Sequence, residues 1–253
     1  MRLQVFLSHN GVCSRREAMT LIQAGRVKVD GRIEKEPSRD VSGAEDIFVN
    51  GKRVLIQQYT YIMLHKPPGY TTTKEDVHAE KTVLDLLPKN LHHLWPVGRL
   101  DRDSEGLLLL SNDGPWTFGL THPKFHLDKT YVVRVKGKLS SENKNKIEKG
   151  IIIDPSINPS GSLRVTPDKK DFPTGQKTAP CRISQVRYND ADTELQIIIH
   201  EGKKRQIRRM LWSVGHKVFF LKRISIGPLN LGPLTIGQWR QLTQEEVERL
   251  KKI

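Results

Sequence analysis

Gly98-Arg99-Leu100-Asp101-Arg102-Asp103-Ser104-Glu105-Gly106 runs straight into Leu107-Leu108-Leu109-Leu110. The stretch sets a carboxylate near two arginines in a turn bounded by glycines, at the mouth of a wholly apolar segment. Such a segment predicts a buried strand. Loops at strand ends are where a rigid scaffold presents reactive side chains. Asp101 is therefore the first candidate functional residue, whereas Asp103 and Glu105 read as turn or surface charges.

Two further blocks lie downstream: Lys129-Thr130-Tyr131, and Glu201-Gly202-Lys203-Lys204-Arg205-Gln206-Ile207-Arg208-Arg209-Met210. Taken alone, Tyr131 on an alternating strand reads as a core or rim aromatic. Leu221, in Phe220-Leu221-Lys222-Arg223-Ile224, reads as core. Lys203, Lys204, Arg205, Arg208 and Arg209 form a dense cationic stripe at a predicted helix start, suited to phosphate. From His200 to Ser225 there are eight cations and one anion, a net of +7, against ten and seven, a net of +3, in residues 1–58. A polyanion should be gripped mainly by the later segment.

Composition narrows the partner. The 253 residues carry 42 Lys and Arg against 28 Asp and Glu, a net charge of +14. That excess fits nucleic acid or an anionic membrane. No run approaches the roughly 18 apolar residues of a membrane span, and Met1 to Asn10 lacks the apolar core of a secretory signal. Nucleic acid is the expected partner, with no membrane, in the cytoplasm. Cys13 and Cys181 are far apart and form no CxxC pair, which predicts reduced thiols instead of a disulfide or zinc site. The histidines show no metal-binding spacing, so no metal is expected. The absence of GxGxxG and GxxxxGKS loops argues against ATP, dinucleotides and, more weakly, S-adenosylmethionine.

Residues 1–58 read as a separate head and 59–253 as a larger domain. Leu3, Phe6 and Leu7 share a face of a first helix that Gly11 breaks. Ser14-Arg15-Arg16-Glu17 is a capping box opening a second, whose apolar face is Ala18, Leu21 and Ile22. Asp30-Gly31 and Asn50-Gly51 are tight-hairpin signals, the second between Ile47-Phe48-Val49 and Arg53-Val54-Leu55. Beyond a short linker at Gln57-Gln58, strands are expected at Tyr61–Leu64, Trp95–Val97, Leu107–Leu110, Tyr131–Val135, Ile151–Ile153, Leu195–His200 and Val218–Leu221. Helices are expected at Val83–Leu87, Ser140–Lys149, Gln206–Val214 and Glu245–Lys252, the last behind a capping box at Thr243-Gln244-Glu245-Glu246. Lys66-Pro67-Pro68-Gly69 must turn. Asp154 to Pro180, rich in Pro, Ser, Gly and Lys, reads as a long surface excursion. The class is α+β: a small head plus a larger domain on a mixed or antiparallel sheet with flanking helices.

Cys13-Ser14-Arg15-Arg16-Glu17-Ala18 with Ala24-Gly25-Arg26-Val27-Lys28-Val29-Asp30-Gly31 resembles the small αL RNA-binding domain named after a ribosomal small-subunit protein. The resemblance implies binding of structured RNA through Arg15, Arg16, Arg26 and Lys28. Helix N-terminal amides and guanidinium forks suit phosphates but carry little sequence information.

The block around Asp101, the Lys129-Thr130-Tyr131 block and the Glu201–Met210 block, in that order, resemble the signature blocks of the ribosomal RNA pseudouridine synthases of the Rsu type, most like the large-subunit branch. Lys66-Pro67-Pro68-Gly69 resembles their first block. The resemblance covers nearly the whole chain and implies isomerisation of uridine in ribosomal RNA or pre-ribosomal particles, without a cofactor. It assigns Asp101 as the catalytic carboxylate, Arg208 as the arginine pairing with it bidentately, and Tyr131 as the aromatic stacking on a flipped base. Arg99 would steady the phosphate or fill the gap, and Leu221 would pack under the base. Lys203, Lys204, Arg205 and Arg209 would contact the substrate. A paired base cannot reach such a site and must be flipped out or come from a loop.

Three rival readings remain. One is a non-catalytic RNA-binding ribosome-assembly protein, which loss of the aspartate or its arginine would signal. Another is an RNA methyltransferase with the same head, which would need a glycine-rich cofactor loop. The third is a synthase acting on small-subunit rRNA or tRNA. A monomer is expected, since nothing resembles an exposed apolar interface stripe.

Overall fold

The computed structural model describes residues 1–73, 80–154 and 175–252, so most of the expected excursion at Asp154–Pro180 lies outside the described residues. The chain begins with helices Leu3–His9 (α1) and Arg15–Gln23 (α2). Ser14 Oγ accepts from the Glu17 amide at 3.2 Å while the Ser14 amide donates to the Glu17 carboxylate at 2.8 Å, completing the capping box. Strands Val27–Val29 (β1), Arg32–Glu34 (β2), Ile47–Val49 (β3) and Lys52–Arg53 (β4) form a sheet in the order β2-β1-β3-β4. Both hairpin turns hold two successive residues in the left-handed region: φ is 50° and 80° at Asp30-Gly31, 49° and 79° at Asn50-Gly51. That geometry matches strand twist and selects Asp-Gly and Asn-Gly. Val27 and Val29 turn inward onto Leu3, Phe6, Leu7 and Ile22, leaving Lys28 outward. The expected strand at Arg53-Val54-Leu55 shortens to Lys52–Arg53, because Leu55 lies open to solvent.

The rest of the chain builds one nine-stranded sheet. Its elements are Tyr61–Lys66 (β5), Trp95–Val97 (β6), Glu105–Ser111 (β7), Gly114–Thr121 (α3), Lys129–Lys136 (β8) and Ser141–Glu148 (α4), followed by the pair Ile152–Ile153 (β9) and Gln176–Lys177 (β10), which stands apart as its own ribbon. Then come Arg182–Tyr188 (β11), Asp192–Ile199 (β12), Gln206–Trp212 (α5), Val218–Ile226 (β13), Leu229–Asn230 (β14), Trp239–Gln241 (β15) and Gln244–Lys251 (α6). The main order is β11-β12-β8-β13-β7-β5-β15, with β6 on β7 and β14 on β13. Pairing is antiparallel except for β13 with β7, which run parallel through Lys222↔Glu105 and Arg223↔Gly106. The architecture is α+β on a mixed sheet.

The leucine run is continuous because β7 is covered on both sides. Leu108 and Leu110 enter a core with Ile62, Leu64, Val133 and Leu195. Leu107 and Leu109 enter a second with Met63, Trp116, Leu120 and Leu250. Two expectations need correction. Val83–Leu86 is a short 3-10 helix, one residue shorter than the helix expected at Val83–Leu87; Thr82 and Asp85 cap it, and Leu87 is already extended before Pro88. Helix α3 and strand β11 were not expected at all. The sign of α3 is Asp113, whose carboxylate accepts from the Trp116 amide at 3.0 Å, with Pro115 in the first turn.

Candidate active site

The loop between β6 and β7 is held by the turn after β5. Lys66, wholly buried, donates its Nζ to the carbonyls of Pro67, Asp101, Arg102 and Ser104 at 3.0, 3.2, 3.3 and 2.8 Å. Burial pulls its pKa down to about 8, against the pull of Asp103 and Asp101. The Gly69 amide donates to the Arg102 carbonyl at 2.7 Å, and Thr72 Oγ1 donates to the Leu100 carbonyl at 2.7 Å. The Asp101 backbone is thus fixed from two sides. Its side chain remains 30% exposed on the rim of a cavity of about 480 Å³, a size within the usual range for small-molecule sites.

The pairing of charges differs from expectation. Arg208 does not pair with Asp101: its Nε lies 3.5 Å from Asp103 Oδ2, its Nη2 donates to the Asp103 carbonyl at 3.0 Å, and its Nη1 donates to the Val218 carbonyl at 3.2 Å. The guanidinium nearest Asp101 is that of Arg205, at 4.0 Å. Arg205 in turn holds Asp103 with a two-pronged grip, at 2.9 and 2.8 Å. Burial alone would raise the Asp103 pKa, but Arg205 and Arg208 outweigh it and hold the carboxyl below its ordinary range. Asp103 is therefore the hub of the charge cluster and not an incidental turn charge. The reason is local: Arg205 takes a left-handed conformation (φ 53°, ψ 32°) at the start of α5, while Arg208, one turn on, is buried in the body of the domain.

Glu105 is likewise no surface charge. His65 Nε2 and Lys222 Nζ both reach its Oε1 at 2.9 Å, and His65 Nδ1 reaches the Leu234 carbonyl at 2.6 Å. Burial pushes the Glu105 pKa up, and the hydrogen bonds from Lys222 and His65 more than reverse that.

Tyr131 and Leu221, both buried, line the cavity that carries Asp101; β8 and β13 bring them there from opposite strands of one antiparallel pair. Arg99 is exposed and also lines it. Of the cationic block, Lys204 is exposed, Lys203 is paired with Glu201, and Arg209 is buried with Nη1 donating to the Lys204 carbonyl at 2.9 Å. The charge of residues 200–225 is consequently not a solvated stripe. Arg208, Arg209 and Arg223 are buried, and Lys222 and Arg205 are engaged with carboxylates. What this segment presents to solution is a cation-lined cavity. Arg15, Arg16, Arg26 and Lys28 lie exposed on the head, and among the described residues none is held in an ion pair. A second cavity, of about 550 Å³, runs between Arg15 and Arg16 and the surface of α3, and Thr121 borders both cavities.

Sequence reasoning gave no role to Lys66, Asp103, Glu105, Glu201 or Arg223. Glu201 accepts from the Ala179 amide at 2.8 Å and Gln206 Nε2 at 2.6 Å as well as from Lys203, bracing the loop before α5. The available signal was charge next to obligate burial: Lys66 closes a run of five buried strand residues, and Arg223 alternates with Leu221 on β13.

Among the described residues no helix is long and apolar enough to cross a membrane. Residues 1–47 match a model of the S4 domain, and residues 60–213 match that of the RNA pseudouridylate synthases. The ribosomal large subunit pseudouridine synthase B of Bacillus subtilis (strain 168) is 38% identical over 100% of this chain and 96% of its own. A ribosomal small subunit pseudouridine synthase A of Vibrio cholerae is 32% identical over the whole of both. A crystal structure of a pseudouridylate synthase superposes with a TM-score of 0.66 at 29% identity, covering 99% of each chain. The match of most of the chain to one family model, and of all of it to relatives above 30% identity, agrees with the cavity built around Asp101 and Tyr131: the chain belongs to the RNA pseudouridylate synthase family, enzymes that turn uridine into pseudouridine within RNA.

Proposed function

We propose that this enzyme isomerises a uridine of ribosomal RNA, in the large subunit, with Asp101 as its catalytic carboxylate. The observation that carries the assignment is that, of the two carboxylates lining the cavity among the described residues, Glu201 is taken up by Lys203, Gln206 and the Ala179 amide, whereas Asp101 is 30% exposed, with its backbone locked by Lys66 and its side chain 4.0 Å from a guanidinium. A flipped uridine enters the cavity, stacks on Tyr131 and rests on Leu221. Arg208 serves the reaction by holding Asp103 and the loop, as a positioning residue. Arg99, Lys203, Lys204 and Arg205 supply the positive cavity wall for the backbone phosphates, and Arg209, buried, braces the Lys204 carbonyl.

The head supplies placement. Arg15, Arg16, Arg26 and Lys28 grip structured RNA, and the second cavity, which meets the first at Thr121, offers a path from head to site. The large-subunit reading is supported by the 38% identity to the Bacillus subtilis enzyme. The full-length match at 32% to a small-subunit enzyme makes small-subunit RNA the second reading. The working state is a cytoplasmic monomer, a reading supported by two well-separated free cysteines and by the scatter of exposed apolar side chains.

The test is tritium release from RNA labelled at carbon 5 of uridine, with large-subunit and small-subunit transcripts in parallel. Wild type should release tritium from large-subunit RNA and Asp101→Asn should not, while both bind it with similar affinity. Release by Asp101→Asn would remove that residue from the chemistry. Release only from small-subunit RNA would reassign the target.

A further inference from the structure

We propose that Arg223 is a catalytic residue: its guanidinium is the fixed cation that holds the detached uracil ring, as a uracilate anion, through a ring carbonyl oxygen. The proposal rests on uridine isomerisation as the reaction.

Arg223 is 2% exposed, yet it lines the cavity that carries Asp101 and Tyr131. Its position is fixed on two sides. Nε donates to the Leu107 carbonyl at 2.7 Å, and Nη1 lies 3.4 Å from the Tyr131 hydroxyl and 3.5 Å from the Arg99 carbonyl. Nη2 has no acceptor among the described residues. Among the described residues no carboxylate forms an ion pair with it, whereas Arg205, Arg208, Lys203 and Lys222 each have one. Burying an unpaired cation is costly, and a buried donor without a partner adds to the cost. A fold that carries both at the wall of its reaction cavity is complementary to an anion absent from the resting enzyme.

The backbone is shaped to allow it. A side chain at Gly106 would come within 2.2 Å of the Arg223 carbonyl oxygen, so only glycine lets β7 and β13 close at this register. Lys129, on the same cavity, has its pKa lowered by burial and then by Arg223, which marks how strongly positive this wall is.

The chemistry supplies the anion. When the bond from C1′ to N1 breaks, the ring leaves with the electron pair, and its negative charge spreads over N1, O2 and O4. The ring turns, C5 bonds to C1′, the proton on C5 is lost, and N1 ends protonated, so atoms and electrons balance within the nucleotide. A preorganised donor aimed at charge that exists only after bond cleavage lowers the barrier without tightening substrate binding. The guanidinium is that donor, and its contact with the Tyr131 hydroxyl holds it beside the plane on which the ring stacks.

The experiment compares wild type, Arg223→Lys, Arg223→Met and Arg223→Ala on a hairpin RNA that wild type converts. Single-turnover rate at saturating enzyme, RNA affinity and thermal unfolding are read for each. Arg223→Met should lose about 100-fold or more in rate, with affinity within about threefold of wild type. Arg223→Lys, which keeps the charge and not the fork, should fall between. Guanidinium ion added to Arg223→Ala should restore turnover, and should do nothing for Asp101→Asn. A full rate in Arg223→Met overturns the proposal. So does a rate that falls only in step with stability and does not recover with guanidinium, since that is what a bracket for Leu107 alone would give. Absence of pseudouridine with wild type on every RNA would instead overturn the isomerisation reading.

Discussion

Arg205 grips Asp103 with both terminal nitrogens, at 2.9 and 2.8 Å, and stands 4.0 Å from Asp101. One guanidinium therefore serves two carboxylates unequally: the outer one anchors it, and the inner one feels its field while its oxygens stay open. Had Asp101 taken the close grip, its lone pairs would be occupied. The arrangement separates orientation of the arginine from availability of the Asp101 carboxylate.

Replacing Asp103 should consequently injure catalysis without removing any group that meets the substrate. In Asp103→Asn, Arg205 loses its anchor and is free to collapse onto Asp101, while the buried Arg208 loses its carboxylate partner. A displacement of that kind is worth on the order of 100-fold in rate. Single-turnover kinetics on a converted RNA should show that loss with nearly unchanged RNA affinity; a wild-type rate would strip Asp103 of its organising role.

Lys66 makes a prediction about pH. Its folded pKa of about 8 lies below the ordinary 10.5. Between those values the unfolded chain retains a proton that the folded chain has released. Stability contributed by this group therefore rises with pH across that window and is flat below it. Urea unfolding of wild type and Lys66→Met from pH 7 to 10 should show the difference between them shifting in favour of wild type above pH 8. A constant difference would mean that the ammonium keeps its proton throughout, held by its four carbonyls.

Gly106→Ala should be among the most damaging small substitutions in the chain. The residue sits at φ 118°, and the new methyl would press on the backbone of Arg223 at 2.2 Å from its oxygen and 2.6 Å from its nitrogen. Backbone on both sides cannot step aside, so the parallel contact between β7 and β13 must open. The expected cost is roughly 3 kcal/mol or more, visible in urea unfolding, with turnover lost in parallel. An alanine variant of ordinary stability would show that the two strands are not locked at this point.

Much of this was legible in the sequence for physical reasons that differ by region. The two hairpins of the head are local: Asp30-Gly31 and Asn50-Gly51 need only their own backbone preferences to declare themselves. The capping boxes at Ser14 and Thr243 are equally local. Asp101 could be singled out because the loop and the leucine run after it lie together in the chain. The partners of Asp103 and Glu105 could not be, since Arg205 is 102 positions from Asp103 and His65 is 40 from Glu105. Charge density misled for the same reason. Eight cations within residues 200–225 look like a surface, but Arg205, Arg208 and Lys222 pair with carboxylates distant in the chain, Lys203 pairs with nearby Glu201, and Arg209 and Arg223 are buried. Helix α3 was missed because nearly every residue after Pro115 is apolar or small, leaving no polar face to set a helical period.

The parallel contact between β7 and β13 also sets the moment at which this enzyme comes into being. Arg223 meets Leu107 across 116 positions of chain, and a contact of such separation must overcome the entropy of closing the loop. Synthesis runs from the N-terminus, so a growing chain carries its aspartate, its tyrosine and its whole head long before it carries the strand that floors the cavity. Through that interval it can touch the RNA of the ribosome producing it but has no chamber in which to hold a loose base. Reactivity is withheld until residue 226 has cleared the exit and the strand has closed.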